Sequence, residues 1–282
     1  MFRSVFALVL LVVGASCSAQ AQPNVDRGAY LVNSIMACDG CHTQNSPAGL
    51  NMQKRFAGGS QLWDEAAYTV RGSNITPDPA TGIGAWTAGD LKKLMTDGVR
   101  PNGTPVAPQM PYAFYKILTV GDLDAVVAYI QTAAPIANKV QDPVYKQPTQ
   151  ATLIPGGETR FTDDDLKDKL KRGFYLATIA HCMECHARDA TGRPDFKARW
   201  GKGGHEMTGP FGKVTVSNIT SHPTKGIGSW TDAEVKTALT KGVSRDGRVF
   251  KLPMARQVYF SKLTGDDLDA LVAWVRTIPP LE

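Results

Sequence analysis

Long apolar runs are nearly absent from this chain of 282 residues. The run from Val5 to Val13 is too short for a comfortable membrane crossing, and no later segment approaches one. Dense basic runs are also missing, which argues against nucleic-acid binding. No stretch sustains the alternation of apolar and polar residues with hairpin turns that marks a sheet-based fold. Cysteine and histidine are scarce, with five of each, so their placement carries information. The chain as a whole, with 20% charged and 43% hydrophobic residues, has the composition of a soluble globular protein.

The short apolar run follows Arg3 and precedes Ala19-Gln20-Ala21. That is the layout of a secretory signal peptide over residues 1–21, cleaved before Gln22, with an uncleaved anchor as the alternative reading. Cys17 lies inside it, but Gly14 stands three residues earlier, where a lipoprotein signal would carry an aliphatic residue. The expectation is an exported, periplasmic protein with no integral membrane segment in its mature chain. Charge is uneven along that chain. Residues 22–136 hold 8 basic and 9 acidic side chains, net −1, whereas residues 137–282 hold 22 and 17, net +5. A surface that docks an acidic partner is one reading of this split; a solvated surface is the other.

Displaced by 144 residues, the sequence matches itself. Cys38-Asp39-Gly40-Cys41-His42 falls on Cys182-Met183-Glu184-Cys185-His186, and Ser73-Asn74-Ile75-Thr76 falls on Ser217-Asn218-Ile219-Thr220. Gly82-Ile83-Gly84 and Trp86-Thr87 fall on Gly226-Ile227-Gly228 and Trp230-Thr231, and Met110 falls on Met254. A slip of one residue relates Arg27-Gly28-Ala29-Tyr30 to Arg172-Gly173-Phe174-Tyr175, and Asp122-Leu123-Asp124 to Asp267-Leu268-Asp269. Two homologous units follow, at residues 22–136 and 160–282, joined by a Pro-containing linker over 137–159. Within each unit the regular segments read as helices. Asp26 to Met36 runs into the first cysteine. Thr87 and Thr231 are N-cap candidates, with Gly98 and Gly242 as stops, and terminal helices begin near Thr119 and Thr264. The expected fold class is all-α.

Export would permit disulfides, yet the four remaining cysteines form two close pairs, each followed directly by histidine. Cys-x-x-Cys-His is the attachment signature of c-type haem. Cys38 and Cys41, and likewise Cys182 and Cys185, would bind two haem vinyl groups, while His42 and His186 would ligate the iron. A thioredoxin-like pair needs no histidine at that place, and a zinc site would want four ligands per unit. For the second axial ligand, the repeat discriminates among the methionines. Met36 and Met183 sit beside or inside the attachment motifs. Met52 and Met207 have no methionine counterpart, and Met95 matches Leu239 on a helix. Met110 and Met254 are paired, each 68 residues after its histidine and each in a Pro-flanked loop. Histidine–thioether ligation raises the reduction potential and closes the coordination sphere, which suits electron transfer rather than peroxide or O₂ activation. A dihaem peroxidase and a haem-based sensor are the competing readings. Asn74, Trp86, Asn218 and Trp230 are candidates either for hydrogen bonds to haem propionates or for loop architecture. His181, with Ala37 as its counterpart, reads as a surface or packing residue.

On these motifs each unit resembles a class I cytochrome c domain, over nearly all of residues 24–136 and 161–279. Gly28 and Gly173, with Tyr129 and Trp274, resemble that family's glycine–aromatic helix crossing. The run Ser-Asn-Ile-Thr, then Gly-Ile-Gly-x-Trp-Thr, then the Met loop is similar to the multihaem cytochrome subunits of periplasmic alcohol and related dehydrogenases. The resemblance implies two haem c groups, a periplasmic dehydrogenase as electron donor, and another cytochrome or a terminal oxidase as acceptor. It implies no catalytic residues and no nucleic-acid partner.

Overall fold

The computed structural model describes residues 24–282 except 47, 48, 60, 61 and 210; the expected signal over residues 1–21 lies outside them. The first repeat contains α1 (Val25–Asn33), α2 (Asp39–His42), α3 (Ala88–Asp97), α4 (Tyr112–Tyr115) and α5 (Val120–Gln131). The second contains their counterparts α6 (Lys169–Ile179), α7 (Cys182–His186), α8 (Asp232–Lys241), α9 (Gln257–Phe260) and α10 (Gly265–Val275).

Local chemistry explains where the helices begin and end. Asn24 and Asp168 cap α1 and α6 by accepting from the Arg27 and Lys171 amides. Thr87 and Asp90 form a reciprocal capping box at α3, and Thr231 and Glu234 repeat it at α8. Gly98 and Gly242 end these helices in the left-handed region, each with φ 68°. Thr119 and Thr264 cap the terminal helices through the amides of Asp122 and Asp267.

In each repeat the first and last helices cross at a glycine. A Cβ on Gly28 would collide with the Ala125 carbonyl and stand 2.8 Å from Tyr129 Cβ. On Gly173 it would collide with the Ala270 carbonyl and stand 2.6 Å from Trp274 Cβ. Leu31, Ile35, Leu123 and Val126 pack around the first crossing, and Leu176, Ile179, Leu271 and Val275 around the second, all within one continuous buried core that joins the two repeats.

The all-α expectation is corrected by three small antiparallel sheets among the described residues. β1 (Asn45–Ser46) pairs with β2 (Gly49–Leu50), and β3 (Leu62–Asp64) pairs with β4 (Tyr68–Arg71). β4 also pairs with β5 (Val144–Tyr145), and β6 (Glu206–Gly209) pairs with β7 (Gly212–Thr215). These strands are two to four residues long, too short to display an alternating pattern in the sequence. They are stabilised by cross-strand partners instead. Trp63 lies opposite Val70 and Tyr68 opposite Tyr145, and Tyr68, Val70 and Ala107 form a small second core.

The third strand comes from the segment between the repeats, which is strapped to the first repeat as far as Ala151 and then packs against α6, where a Cβ on Gly156 would stand 3.3 Å from Phe174. Asn138 donates to the Ala57 carbonyl at 2.7 Å, the Ala151 amide donates to the Tyr112 hydroxyl at 3.0 Å, and Ile154 is fully buried.

Gly28→Ala and Gly173→Ala should each destabilise the protein by about 1–3 kcal/mol or more, because a methyl group there overpacks the helix crossing. Gly121→Ala is the control. It lies in α5, and a methyl group placed on it would have no neighbour within 4 Å, so this change should leave stability unchanged or raise it. Urea unfolding followed by circular dichroism measures all three.

Candidate functional site

Each Cys-x-x-Cys-His segment forms a short helix directly after the first long helix of its repeat. The residue ahead of the first cysteine is in the left-handed region in both copies, Ala37 at φ 53° and His181 at φ 47°. This turns the chain sharply between the first long helix and the attachment segment, while Cys38 and Cys182 stay packed against the core. None of the four cysteines is in a disulfide. Burial pushes the thiols up, Cys38 to about 12 and Cys41, Cys182 and Cys185 to about 11. A thiol-exchange pair needs accessible thiolate near neutral pH, so these cysteines are poorly suited to that chemistry.

The histidines are oriented identically. His42 Nδ1 lies 2.8 Å from the Ser73 carbonyl, and His186 Nδ1 lies 2.8 Å from the Ser217 carbonyl. A carbonyl oxygen only accepts, so Nδ1 carries the proton in each ring and Nε2 keeps its lone pair. Burial lowers the pKa of both rings, that of His186 to about 4, with the serine carbonyls partly opposing. Both imidazoles are therefore neutral at pH 7 and able to donate to a metal. Sequence reasoning passed over these carbonyls, although Ser73 and Ser217 open the repeated Ser-Asn-Ile-Thr motif.

Cys38, Cys41, His42 and Met110 line a single cavity of about 1580 Å³. That exceeds the roughly 300–1,000 Å³ of ordinary small-molecule pockets, and the donor set is one that binds haem. Met36, Met52, Met95 and Met207 line it too. Proximity alone therefore does not single out Met110. The backbone repeats at Met110 and Met254, where the Tyr112 amide donates to the Met110 carbonyl and the Arg256 amide to the Met254 carbonyl, both at 2.7 Å. Of the second set, Cys185 lines the same cavity, whereas Cys182, His186 and Met254 lie outside its lining.

Arg256, Tyr259 and Glu184 of the second repeat also reach the first cavity. Nothing in the sequence identified that reach, because it depends on how the repeats pack. Met95 and Met183 are buried core residues. His181 is half-buried and pairs with Glu184 at 2.7 Å. His205 is buried, and neither of its ring nitrogens has a hydrogen-bond partner.

The two asparagine candidates serve loop architecture. Asn74 Nδ2 donates to the Ile136 carbonyl at 2.8 Å, and its Oδ1 accepts from the Thr76 amide at 2.9 Å. Asn218 donates to the Leu281 carbonyl at 2.7 Å and accepts from the Thr220 amide at 2.8 Å. Each thus ties the segment beyond the terminal helix to the loop that carries the histidine's partner. Trp86 lines the cavity, while Trp230 lies under the Arg245 guanidinium, 5.7 Å from its ring centre.

The chain is 30% identical over 256 residues to a diheme cytochrome c-type protein of Cereibacter sphaeroides, covering 87% of this chain and 83% of that one. This chain belongs to the cytochrome c family. The cytochrome c family model matches residues 170–279. The cytochrome is also 31% identical over 297 residues to the fructose dehydrogenase cytochrome subunit of Gluconobacter japonicus, covering 96% of this chain and 58% of that subunit. It is 29% identical over 280 residues to the cytochrome c subunit of the quinone alcohol dehydrogenase of Gluconacetobacter polyoxogenes, covering 91% of this chain and 56% of that one. The chain thus spans little more than half the length of these two subunits. Family membership implies covalently bound haem c, and the neutral histidines, paired thiols and large cavity fit that group. Among the described residues no helix is long and apolar enough to cross a membrane.

Asn74→Ala should cost about 1–3 kcal/mol, because it strands the buried Thr76 amide and leaves the Ile136 carbonyl with only the longer bond from the Thr76 hydroxyl. The visible spectrum of the haem-loaded protein should be retained. A propionate-binding role would shift the reduction potential instead, which a redox titration would detect.

Proposed function

We propose that this cytochrome c carries two haem c groups in two domains, residues 22–136 and 160–282, joined by residues 137–159. Cys38 and Cys41 would hold the first group and Cys182 and Cys185 the second. His42 with Met110, and His186 with Met254, would ligate the irons. Bound haem c supplies one reversible electron per iron. The observation that carries this reading is the matched histidine–carbonyl hydrogen bond of 2.8 Å in both repeats, which presents one unprotonated nitrogen beside each cysteine pair.

The protein's part is to hold and tune. The cysteines anchor the macrocycle covalently. The serine carbonyls keep each imidazole in one tautomer and raise its basicity. Met110 and Met254, as soft thioether ligands, would favour the reduced state and leave no open position for substrate, which disfavours peroxidase and sensor roles.

The proposed setting is the periplasm, with residues 1–21 as the export signal. Electrons would arrive from a dehydrogenase and leave to another cytochrome or a terminal oxidase. Similarity to the cytochrome subunits of fructose and alcohol dehydrogenases supports a donor of that kind. The charge split, net −1 over residues 22–136 and net +5 over 137–282, supports different partners for the two domains.

Intact mass of the matured protein should show two haems per chain, and Cys41→Ser or Cys185→Ser should weaken attachment at its own site alone. Met110→Ala and Met254→Ala should each lower the potential of one haem, open that iron to CO, and leave the other haem nearly unchanged. A potentiometric titration in which either variant matches the parent would remove that methionine from the ligand set. Electron exchange at the second domain with an anionic partner should slow as salt rises, with a shallower slope at the first; stopped-flow kinetics at several ionic strengths reads this.

A further inference from the structure

The two repeats grip each other through a reciprocal pair of buried carboxylates. Tyr30 of α1 donates to Asp267 of α10 at 2.5 Å, and Tyr175 of α6 donates to Asp122 of α5 at 2.6 Å. Tyr30 and Tyr175 are equivalent in the repeat, as are Asp122 and Asp267. Residue i of one unit bonding j of the other, and j bonding i, is the signature of a two-fold interface. Each carboxylate is also held within its own repeat. Arg27 contacts Asp122 at 2.8 and 2.9 Å, and Arg172 contacts Asp267 at 2.6 Å. Asp122 and Asp267 are 6% and 2% exposed and Tyr175 is fully buried, so these are desolvated, directional bonds.

A second observation places attachment cysteines of both repeats at the same interface. Tyr115 and Tyr259, again equivalent in the repeat, line the cavity together with Cys38, Cys41 and Cys185. A Cβ on Gly40, between Cys38 and Cys41, would have the Tyr259 hydroxyl 4.0 Å away. The attachment segments of the two repeats therefore approach one another across the junction that the tyrosine–aspartate pairs close.

We propose that Tyr30 and Tyr175 are positioning residues for electron exchange between the two haem c groups, fixing the separation of the attachment edges by bonding Asp267 and Asp122 across the interface. The inference rests on both sites carrying haem. In the step itself one electron leaves the ferrous iron of one site and arrives at the ferric iron of the other, with no proton or atom transferred. Apolar packing joins the repeats but is non-directional, whereas the crossed tyrosine–aspartate bonds add fixed direction. Electron exchange depends steeply on edge separation, so directional bonds at the junction control it without touching either cofactor.

The test uses the full-length, haem-loaded chain with Tyr30→Phe, Tyr175→Phe and the double substitution. Tyr145→Phe is the control; it removes a hydroxyl bonded to the Pro105 carbonyl at 2.9 Å, away from the junction. One electron per molecule is injected by photoreduced deazaflavin, and its redistribution between the haems is followed optically. Magnetic coupling between the two ferric irons is read by electron paramagnetic resonance. The double variant should exchange several-fold more slowly, with broadened or weakened coupling, while its circular dichroism, visible spectrum and individual potentials match the parent. Tyr145→Phe should behave as the parent. Because Tyr30 is only partly buried, Tyr30→Phe alone carries the test if substitutions at Tyr175 fail to fold. Unchanged exchange and coupling in the folded variants would overturn the proposal. A parent protein with one haem per chain would instead overturn the functional reading beneath it, and the haem count separates the two failures.

Discussion

Each repeat depends on the close crossing of its first and last helices at a glycine. With no side chain at Gly28 or Gly173, the helices approach until the Ala125 and Ala270 carbonyls lie against the opposite backbone. That contact determines where the chain emerges on either side of the site. The cysteine–histidine segment follows the first helix within a few residues, and the methionine loop leads through a short helix into the last one. A bulkier residue at the crossing would move both loops at once, so one packing constraint positions groups that are 68 residues apart in the chain.

The loops are then held by hydrogen bonds that the repeat preserves in detail. Serine carbonyls take the histidine Nδ1 protons, and asparagine side chains tie those serine-bearing loops to the segment beyond the terminal helix. The arrangement presents neutral imidazole nitrogen and half-buried, weakly acidic thiols. These suit covalent attachment of a large apolar group better than thiol exchange.

Much of this was legible because it is local. The helix caps at Thr87, Thr231, Thr119 and Thr264, the glycine stops, the attachment motifs and the paired methionines all follow from short-range chemistry or from self-comparison. The sheets were not legible, since strands of two to four residues leave no periodic trace and β5 gains its partner from a distant segment. The roles of Asn74 and Asn218 stayed open in the sequence because an amide can serve a propionate or a carbonyl equally well. Only the positions of Ile136 and Leu281 decide between them.

The sequence by itself determined that the chain is a duplication, that each copy has an attachment motif with a matched methionine, and where the principal helices begin and end. These properties depend on residue type and spacing along one strand of chain, so no partner is needed to read them. The tertiary structure alone decided which carbonyl each histidine faces, that the intervening segment straps the first repeat, and that the repeats meet through crossed tyrosine–aspartate bonds with their attachment segments side by side. Those outcomes join residues 31 to 237 positions apart. At such separations the choice among chemically equivalent partners is made by packing of the whole core, which no local pattern encodes.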